Sequence, residues 1–148
     1  PSAQRRQDYR VNTRDSRLSV KLWRIADHVY FRDRPSAAQR LEQQLLDVSI
    51  GGLGALVDAV PEPILANQRL RIEMKYDDTE LLLEGVVRHV SIRKGGKRWR
   101  IGVQFKKLEN DIVWRQAIAE LTKIVGDLQR LEVRRTRLET KPANVPAA

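Results

Sequence analysis

Two short groups of polar residues in this sequence have types and spacing suited to ligand binding. The first is Asp47-Val48-Ser49-Ile50-Gly51-Gly52, with the pattern DxSxxG. On a β-strand, Asp47 and Ser49 point to the same face, so a carboxylate and a hydroxyl can contact one ligand side by side. The carboxylate suits the donor edge of a guanine, and the hydroxyl can hold a phosphate or fix the carboxylate. Gly51 and Gly52 permit positive φ angles and close approach of the backbone.

The second group is Arg5-Arg6-Gln7-Asp8-Tyr9-Arg10, an RxxxR pair of Arg6 and Arg10 preceded by Arg5. A guanidinium group offers paired donors that match phosphate oxygens and the O6/N7 edge of guanine. It can also stack on a base. The arginine group is therefore suited to the same kind of ligand as the DxSxxG group.

Each group also has an explanation without a ligand. RxxxR recurs at Arg10 with Arg14 and at Arg130 with Arg134, so composition alone produces such pairs on a solvated segment. A strand end followed by turn residues accounts for DxSxxG. Taken singly, neither group decides between binding and structure.

Side chains for catalysis or for a metal site are scarce. The sequence has no cysteine, which excludes thiolate nucleophiles and thiolate zinc sites. The two histidines, His28 and His89, are far apart and lack HExxH spacing, so we interpret them as surface or barrel histidines, His89 being of interest because it follows Arg88. A GxGxxG pattern that begins at Gly52 fails because Val57 is its sixth residue. The acidic residues of 77–84 fit a solvated turn. We therefore predict a protein that is not an enzyme and has no metal or cofactor.

Length and charge point to one domain with an anionic partner. The chain has 148 residues and a net charge of +9. The positive charge is concentrated in residues 1–40 and in residues 93–107. The second of these ranges holds seven basic and no acidic side chains. The longest uncharged stretch has ten residues, against about 20 needed to span a bilayer. With no secretory signal in this chain, we expect a cytoplasmic protein, and the absence of an initiating Met suggests a fragment.

Alternation of apolar and polar residues predicts several antiparallel strands in a barrel or sandwich. A bulge at Gly85 would explain the broken phase of the segment 80–92. Residues 28–31 form a further β-prone patch, and 36–42 are expected to form a helical turn or loop that Ser36 caps. Turns are expected at Asp77-Asp78-Thr79 and Gly95-Gly96. The expected strands are 18–23, 45–50, 53–57, 70–76, 80–92 and 99–105.

The pattern changes to that of a helix after Phe105. Asn110 or Asp111 can cap it. Its apolar stripe either packs on the open side of the barrel or pairs with another chain, and the sequence leaves both open. The stripe consists of Trp114, Ala117, Leu121, Ile124, Leu128 and Leu131.

Together, and in this order, the two polar groups resemble the PilZ family, bacterial receptors for the second messenger cyclic di-GMP (c-di-GMP). Val86-Val87-Arg88 and the segment 100–105, RIGVQF, resemble the family's later strands with its GVxF ending. The resemblance covers about residues 4 to 125 and is strongest for the flagellar brake type. That type often places another β domain ahead of this one, which fits a chain that begins without Met. The segment Val11 to Leu46 is longer than usual for the family, so the strands of 30–44 stay unassigned.

The resemblance implies a mostly β fold, a six-stranded antiparallel barrel at residues 16–109. An arginine-rich arm at 1–15 would close over the ligand, a long helix would follow at 110–139, and 140–148 would be a flexible tail. In this family an arginine at the position of Arg5 tends to accompany two intercalated ligand molecules per domain. The ligand-binding residues would be Arg5, Arg6, Arg10, Asp47, Ser49, Gly51, Gly52 and Arg88.

The resulting hypothesis is a non-enzymatic c-di-GMP receptor that relays the signal by a conformational change. Its partners would be a flagellar or polysaccharide-export protein and, through the C-terminal helix, a second copy of the chain. One alternative is a ligand-independent interaction module, although family members of that kind usually lack one of the two motifs. Another is nonspecific nucleic-acid binding through residues 93–107, where Trp99 lies among basic side chains. A solvated hairpin explains that basic segment as well.

Overall fold

Antiparallel strands form along residues 18–105 because apolar side chains recur there at every second position and can share one buried face. The computed structural model describes residues 11–12, 17–92 and 96–140. Each strand expected from the alternation is present. The bounds are β1 Val11–Asn12, β2 Leu18–Ile25, β3 Arg40–Leu41, β4 Gln43–Val48, β5 Gly52–Asp58, β6 Arg69–Tyr76, β7 Thr79–Ile92, β8 Arg98–Phe105 and α1 Asp111–Thr140.

The strands form one antiparallel sheet that curls into a nearly closed barrel. Their order is β1-β4-β5-β8-β7-β6-β2-β3. Only Glu42 separates β3, which pairs with β2, from β4, which pairs with β5. The Gln43 side-chain amide also donates a hydrogen bond to the Val20 carbonyl, from β4 to β2. The predicted antiparallel barrel is confirmed: it has six strands if β3 and β4 count as one bent strand, and β1 adds a seventh beside β4.

The long helix packs on the barrel, the first of the two roles that the sequence left open. Its buried residues join the core cluster of the strands. As predicted, Asn110 caps the helix, because its Oδ1 accepts hydrogen bonds from the backbone N–H groups of Ile112 and Val113 at 3.0 and 3.1 Å. The helical residues buried in the barrel core are Ala117, Leu121, Ile124, Val125 and Leu128.

The bulge in β7 lies at Arg88, and the prediction of a bulge at Gly85 was wrong. Gly85 pairs in regular register with Leu70 and with Phe105. It faces the barrel interior, where an added Cβ would lie 2.6 Å from Val103 Cγ1. The register against β8 shifts between Val87 and His89, so Arg88 is the extra residue. The alternation of inward and outward side chains breaks there, because the extra residue shifts every following residue of the strand by one position.

The β-prone patch at 28–31 is not a strand, which corrects the prediction and places His28 in a turn. Phe31 packs instead with Ile25 and Leu108 in a second apolar cluster. Arg71 Nη1 of β6 donates a 2.7 Å hydrogen bond to the Phe31 carbonyl, which attaches this segment to the barrel. The expected helical turn is present as a 3-10 turn at Ala37–Gln39. Ser36 stands at its N-cap without a side-chain hydrogen bond, so the predicted capping was wrong.

Several predicted features fall outside the described residues. They are the arm residues 1–10 and 13–15, which include the arginine motif at 5–10, together with Gly95 of the predicted hairpin turn and residues 141–148 of the predicted tail. In the described part of the chain, no helix has the length and apolar character needed to cross a membrane.

Candidate functional site

The DxSxxG residues form the end of β4 and the tight turn into β5. Ser49 is buried, and its backbone N–H donates a 2.8 Å hydrogen bond to the Gly52 carbonyl. Its Oγ accepts hydrogen bonds from the N–H groups of Gly51 and Gly52, at 3.2 and 3.1 Å, and lies 3.3 Å from the Gly52 carbonyl oxygen. The hydroxyl therefore stabilises the turn from within, and the turn fixes the end of β4 beside the start of β5.

Gly52 is required by packing between strands. A Cβ at Gly52 would lie 2.0 Å from the Val103 carbonyl oxygen of β8. A backbone atom cannot give way as the end of a side chain can. The last glycine of the pattern therefore allows β5 and β8 to approach each other next to the turn.

Asp47 projects from the outer face of β4 over a glycine on the next strand. It pairs with Gly54 of β5, where an added Cβ would lie 2.8 Å from Asp47 Oδ1. Arg100 Nη2 of β8 lies 3.8 Å from Asp47 Oδ2. The Asp47 side chain is 18% exposed, so its carboxylate is held at the surface with part of it accessible.

The row of residues that begins at Asp47 continues across the sheet. Gly54 pairs with Gly102 of β8, and Gly102 pairs with His89 of β7. Because neighbouring strands lie about 4.8 Å apart, the row measures about 14 Å along the sheet. The two central glycines have no side chains of their own, and the Asp47 carboxylate lies over Gly54 at one end while the His89 ring lies over Gly102 at the other. We call these four residues the glycine row.

Arg88 lies beside the glycine row and is held by neutral oxygens. Its Nε donates a 2.7 Å hydrogen bond to Gln104 Oε1, and its Nη1 lies 3.3 Å from Asn67 Oδ1. Asn67 has a left-handed backbone with φ of 73°, a conformation that asparagine tolerates better than most residues. In the described part of the chain, no carboxylate pairs with Arg88, so its charge is not neutralised by an ion pair.

The strand β1 places the start of the described chain at this site. Val11 pairs with Val48, and Asn12 pairs with Asp47. Val11 is completely buried in the main core cluster, and β1 contacts α1 as well as β4. This short strand is therefore anchored on both the DxSxxG strand and the helix.

The structure brings together part of the predicted site. Ser49, Gly51 and Arg88 line one shallow cavity of about 220 Å³. Gly52 pairs with Gln104 of its lining, and Asp47 lies at the far end of the glycine row from His89. Arg5, Arg6 and Arg10 lie outside the described residues. The remaining lining residues are His89, Gly102, Val103 and Gln104.

His89, Gly102 and Gln104 were not among the predicted site residues. Gly102 and Gln104 lie within the GVxF segment, and His89 follows Arg88, but neither fact shows which strands are neighbours. The pairing of β7 with β8 places them together.

A larger cavity of about 600 Å³ lies on the outer face of β2, β6 and β7, away from the predicted site residues. Glu73 lines it, and its carboxylate oxygens lie 2.9 Å from Arg71 Nη2 and 3.0 Å from Arg34 Nη2. Burial alone would raise the pKa of Glu73, but the hydrogen bonds from Arg71 and Arg34 outweigh it and lower the pKa below the ordinary value. Both guanidinium groups are therefore paired with Glu73, which makes this cavity the weaker candidate for an anion site.

In the described part of the basic segment, 96–107, several basic side chains form ion pairs, and the tryptophan packs against the core. Trp99 packs against the main core cluster, which limits its use for base stacking. Arg98 lies 3.4 Å from Asp58, and Lys106 Nζ lies 3.5 Å from Glu84. These contacts give no continuous cationic groove for nucleic acid. In the described residues, no cluster of three or more histidine or acidic side chains could hold a metal ion.

Comparison with known proteins gives a family match and a set of similar structures. The family model described as PilZ domain matches residues 4–123. The PilZ domain of YcgR from Escherichia coli, solved with c-di-GMP, aligns with a TM-score of 0.58 and 22% identity, covering 93% of this chain and 98% of that one. No curated protein matches the chain.

Two longer proteins share the fold. The MrkH–c-di-GMP complex of K. pneumonia aligns with a TM-score of 0.52 and 22% identity, covering 90% of this chain and 56% of that one. The Bacillus subtilis inhibitor of motility, MotI/DgrA, aligns with a TM-score of 0.50 and 13% identity, covering 80% and 51%. The alignments therefore span about half the length of these two proteins.

Proposed function

Because this chain belongs to the PilZ domain family, we propose that it is a receptor for c-di-GMP that binds the dinucleotide between the RxxxR arm and the DxSxxG strand. Its function would be binding alone, without catalysis. Similar structures that contain c-di-GMP support the choice of ligand. Support for the binding mode comes from the position of β1.

The pairing of Val11 with Val48 is the observation that carries this proposal. Arg10 directly precedes Val11, so their Cα atoms are about 3.8 Å apart in any conformation of the arm. Arg6 is five residues from Val11, a reach of at most about 17 Å. Since Asp47 adjoins Val48, both arginine side chains can reach the glycine row.

The chemistry of the glycine row and its neighbours suits the two halves of the ligand. The Asp47 carboxylate can accept hydrogen bonds from the N–H groups on a guanine edge. Arg6 and Arg10 can donate to phosphate oxygens and to the O6/N7 edge. Arg88, which has no carboxylate partner among the described residues, can attract a phosphate. Arg5 extends the arginine motif, and we take two intercalated ligand molecules per domain as the stoichiometry.

A signal could pass from the ligand to the helix through β1, which contacts both β4 and α1. Closure of the arm over the ligand would then alter the surface around β1 and α1. We propose that a protein of the flagellar or polysaccharide-export machinery recognises this surface in the cytoplasm. Similarity to a protein named as an inhibitor of motility supports a role in motility.

The distal half of α1 would bind a second copy of the chain. Val133 and Leu138 are 49% and 71% exposed there, beyond the part of the helix that packs on the barrel. Light scattering with and without c-di-GMP tests this proposal. We expect a dimer mass for the wild type and a monomer mass after Val133→Glu with Leu138→Glu. A monomer mass for the wild type under both conditions would contradict it.

Isothermal titration with c-di-GMP, GTP and cyclic GMP tests the ligand assignment. We expect binding of c-di-GMP only, with affinity that falls as salt rises because the charged contacts are screened. Asp47→Asn should weaken binding about ten- to a hundred-fold, the effect of losing one or two charged hydrogen bonds. Asp58→Asn is the matched control, because Asp58 also lies near an arginine of β8. Absence of c-di-GMP binding to the wild type would overturn the proposal.

A further inference from the structure

The ring of His89 lies face-on against the backbone of Gly102. A Cβ added to Gly102 would be 2.1 Å from His89 Cε1 and 2.6 Å from both Nδ1 and Nε2. An edge-on ring, with Cε1 pointing at Gly102, would place both nitrogens much farther away than Cε1. The small difference therefore shows that one face of the imidazole covers Gly102, which is buried although it lies on the outer side of β8.

The opposite face of the His89 ring points away from the sheet. His89 is exposed and lines the shallow cavity that also contains Ser49, Gly51 and Arg88. Within the described part of the chain, no hydrogen bond or ion pair holds the ring. A flat aromatic ring, supported from below by a glycine and open above, has the geometry of a stacking surface.

The bulge at Arg88 makes this arrangement possible. Because Arg88 is the inserted residue of β7, His89 takes the outward position opposite Gly102, and Arg88 is also exposed. A guanidinium group and an imidazole ring consequently lie side by side at the cavity. The first can attract a phosphate, and the second offers an apolar face to a base.

We infer that His89 is a ligand-binding residue, whose ring stacks under one guanine base of c-di-GMP at the end of the glycine row opposite Asp47. This inference rests on the proposed function. Asp47 would recognise an edge of one base and His89 would support the plane of a base. The sequence pattern contains no such assignment, since it depends on the register of β7 against β8.

Titration of c-di-GMP into the full 148-residue chain tests the inference. Stacking of one base on an aromatic side chain predicts that His89→Ala weakens binding roughly five- to a hundred-fold. His89→Phe keeps a flat ring and should bind within about threefold of the wild type. His28→Ala, at the other histidine of the sequence, should bind like the wild type. Equal affinity of His89→Ala and the wild type, or equal loss in His89→Ala and His89→Phe, would overturn the inference.

NMR signals of the two histidine rings provide an independent measurement. We expect the His89 ring protons to shift upfield when c-di-GMP binds, because a stacked base shields them, and the His28 signals to stay unchanged. Unshifted His89 signals at saturation would overturn the inference but leave c-di-GMP binding established. If the wild type does not bind c-di-GMP, the proposed function and this inference both fail, so the two kinds of failure are distinguishable.

Discussion

Val11 pairs with Val48 across the β1–β4 ladder, and both side chains are completely buried. This pairing links the segment that follows the arginine motif to the strand that carries Asp47. It also attaches that segment to the helix, since β1 packs against α1. The fold thus places β1, which directly follows the arginine motif in the sequence, beside the DxSxxG strand.

The arginine motif is predicted to supply charged contacts to the ligand. Arg6→Ala or Arg10→Ala should each lose roughly 1.5 to 3 kcal/mol of binding free energy per charged contact removed. Isothermal titration with c-di-GMP measures this loss. Arg115→Ala, which removes an exposed arginine from α1, is the control and should leave the affinity unchanged. Wild-type affinity in both arm variants would show that the motif does not bind the ligand.

Val11→Ala is predicted to weaken ligand binding through the anchor of the arm. Removing two buried carbon atoms should lower the free energy of unfolding by about 2 kcal/mol. Val57→Ala is the matched control, because Val57 is equally buried but lies at the end of β5 that is away from the DxSxxG turn. Both variants should lose similar stability in urea titrations, whereas only Val11→Ala should lose c-di-GMP affinity. Equal affinities of the two variants would argue against the anchoring role.

Two glycine-to-alanine substitutions are predicted to have opposite effects on stability. Gly52→Ala should destabilise the fold by about 1–3 kcal/mol, because its Cβ would collide with the Val103 carbonyl oxygen. Gly126→Ala should stabilise it by about 0.5–1 kcal/mol, since Gly126 lies inside α1 and the nearest atom to its added Cβ, Arg130 Nη1, is 3.6 Å away. Urea denaturation checks both signs. A neutral Gly52→Ala would contradict the packing argument.

Glu73 is predicted to make stability depend on acid pH. Arg71 and Arg34 lower its pKa in the folded state, so its contribution is fully present above the unfolded value of about 4.3 and is lost as the pH falls through the folded pKa. Glu73→Gln should therefore be less stable than the wild type at pH 7, by about 1–2 kcal/mol. The difference should shrink below about pH 4.3.

Urea titrations from pH 3 to pH 7 measure the stability of both proteins. Glu80→Gln serves as the control, because Glu80 is exposed on the neighbouring strand. A constant difference between Glu73→Gln and the wild type over this range would contradict the assigned cause.

The elements with strict alternation could be predicted from the sequence, as β6 shows. Its inward residues Leu70, Ile72 and Met74 alternate with polar ones, and its bounds follow from that pattern. The end of the helix that Asn110 caps was equally predictable, because a local hydrogen bond defines it. In both cases the signal lies within a few consecutive residues.

Features that depend on contacts between distant segments could not be predicted. Phe31 has the propensity of a strand residue, yet its ring packs with Ile25 and Leu108, and its carbonyl accepts a hydrogen bond from Arg71, forty residues away. The position of the β7 bulge depends on the register against β8, and Gly85 gave a misleading local signal. His89 could not be assigned to the candidate site for the same reason, since only the pairing of β7 with β8 places its ring on Gly102.

Mapping of the c-di-GMP site by NMR shows whether the ligand binds along the glycine row. Amide signals of the full chain would be followed in nitrogen–proton spectra during titration with c-di-GMP. We expect the largest shifts at 5–12, 47–54, 88–89 and 102–104, and unchanged signals for Lys21 and Lys75 on the opposite face of the barrel. Shifts that cluster around Lys21 and Lys75, with none at Asp47 or in the arginine motif, would contradict it.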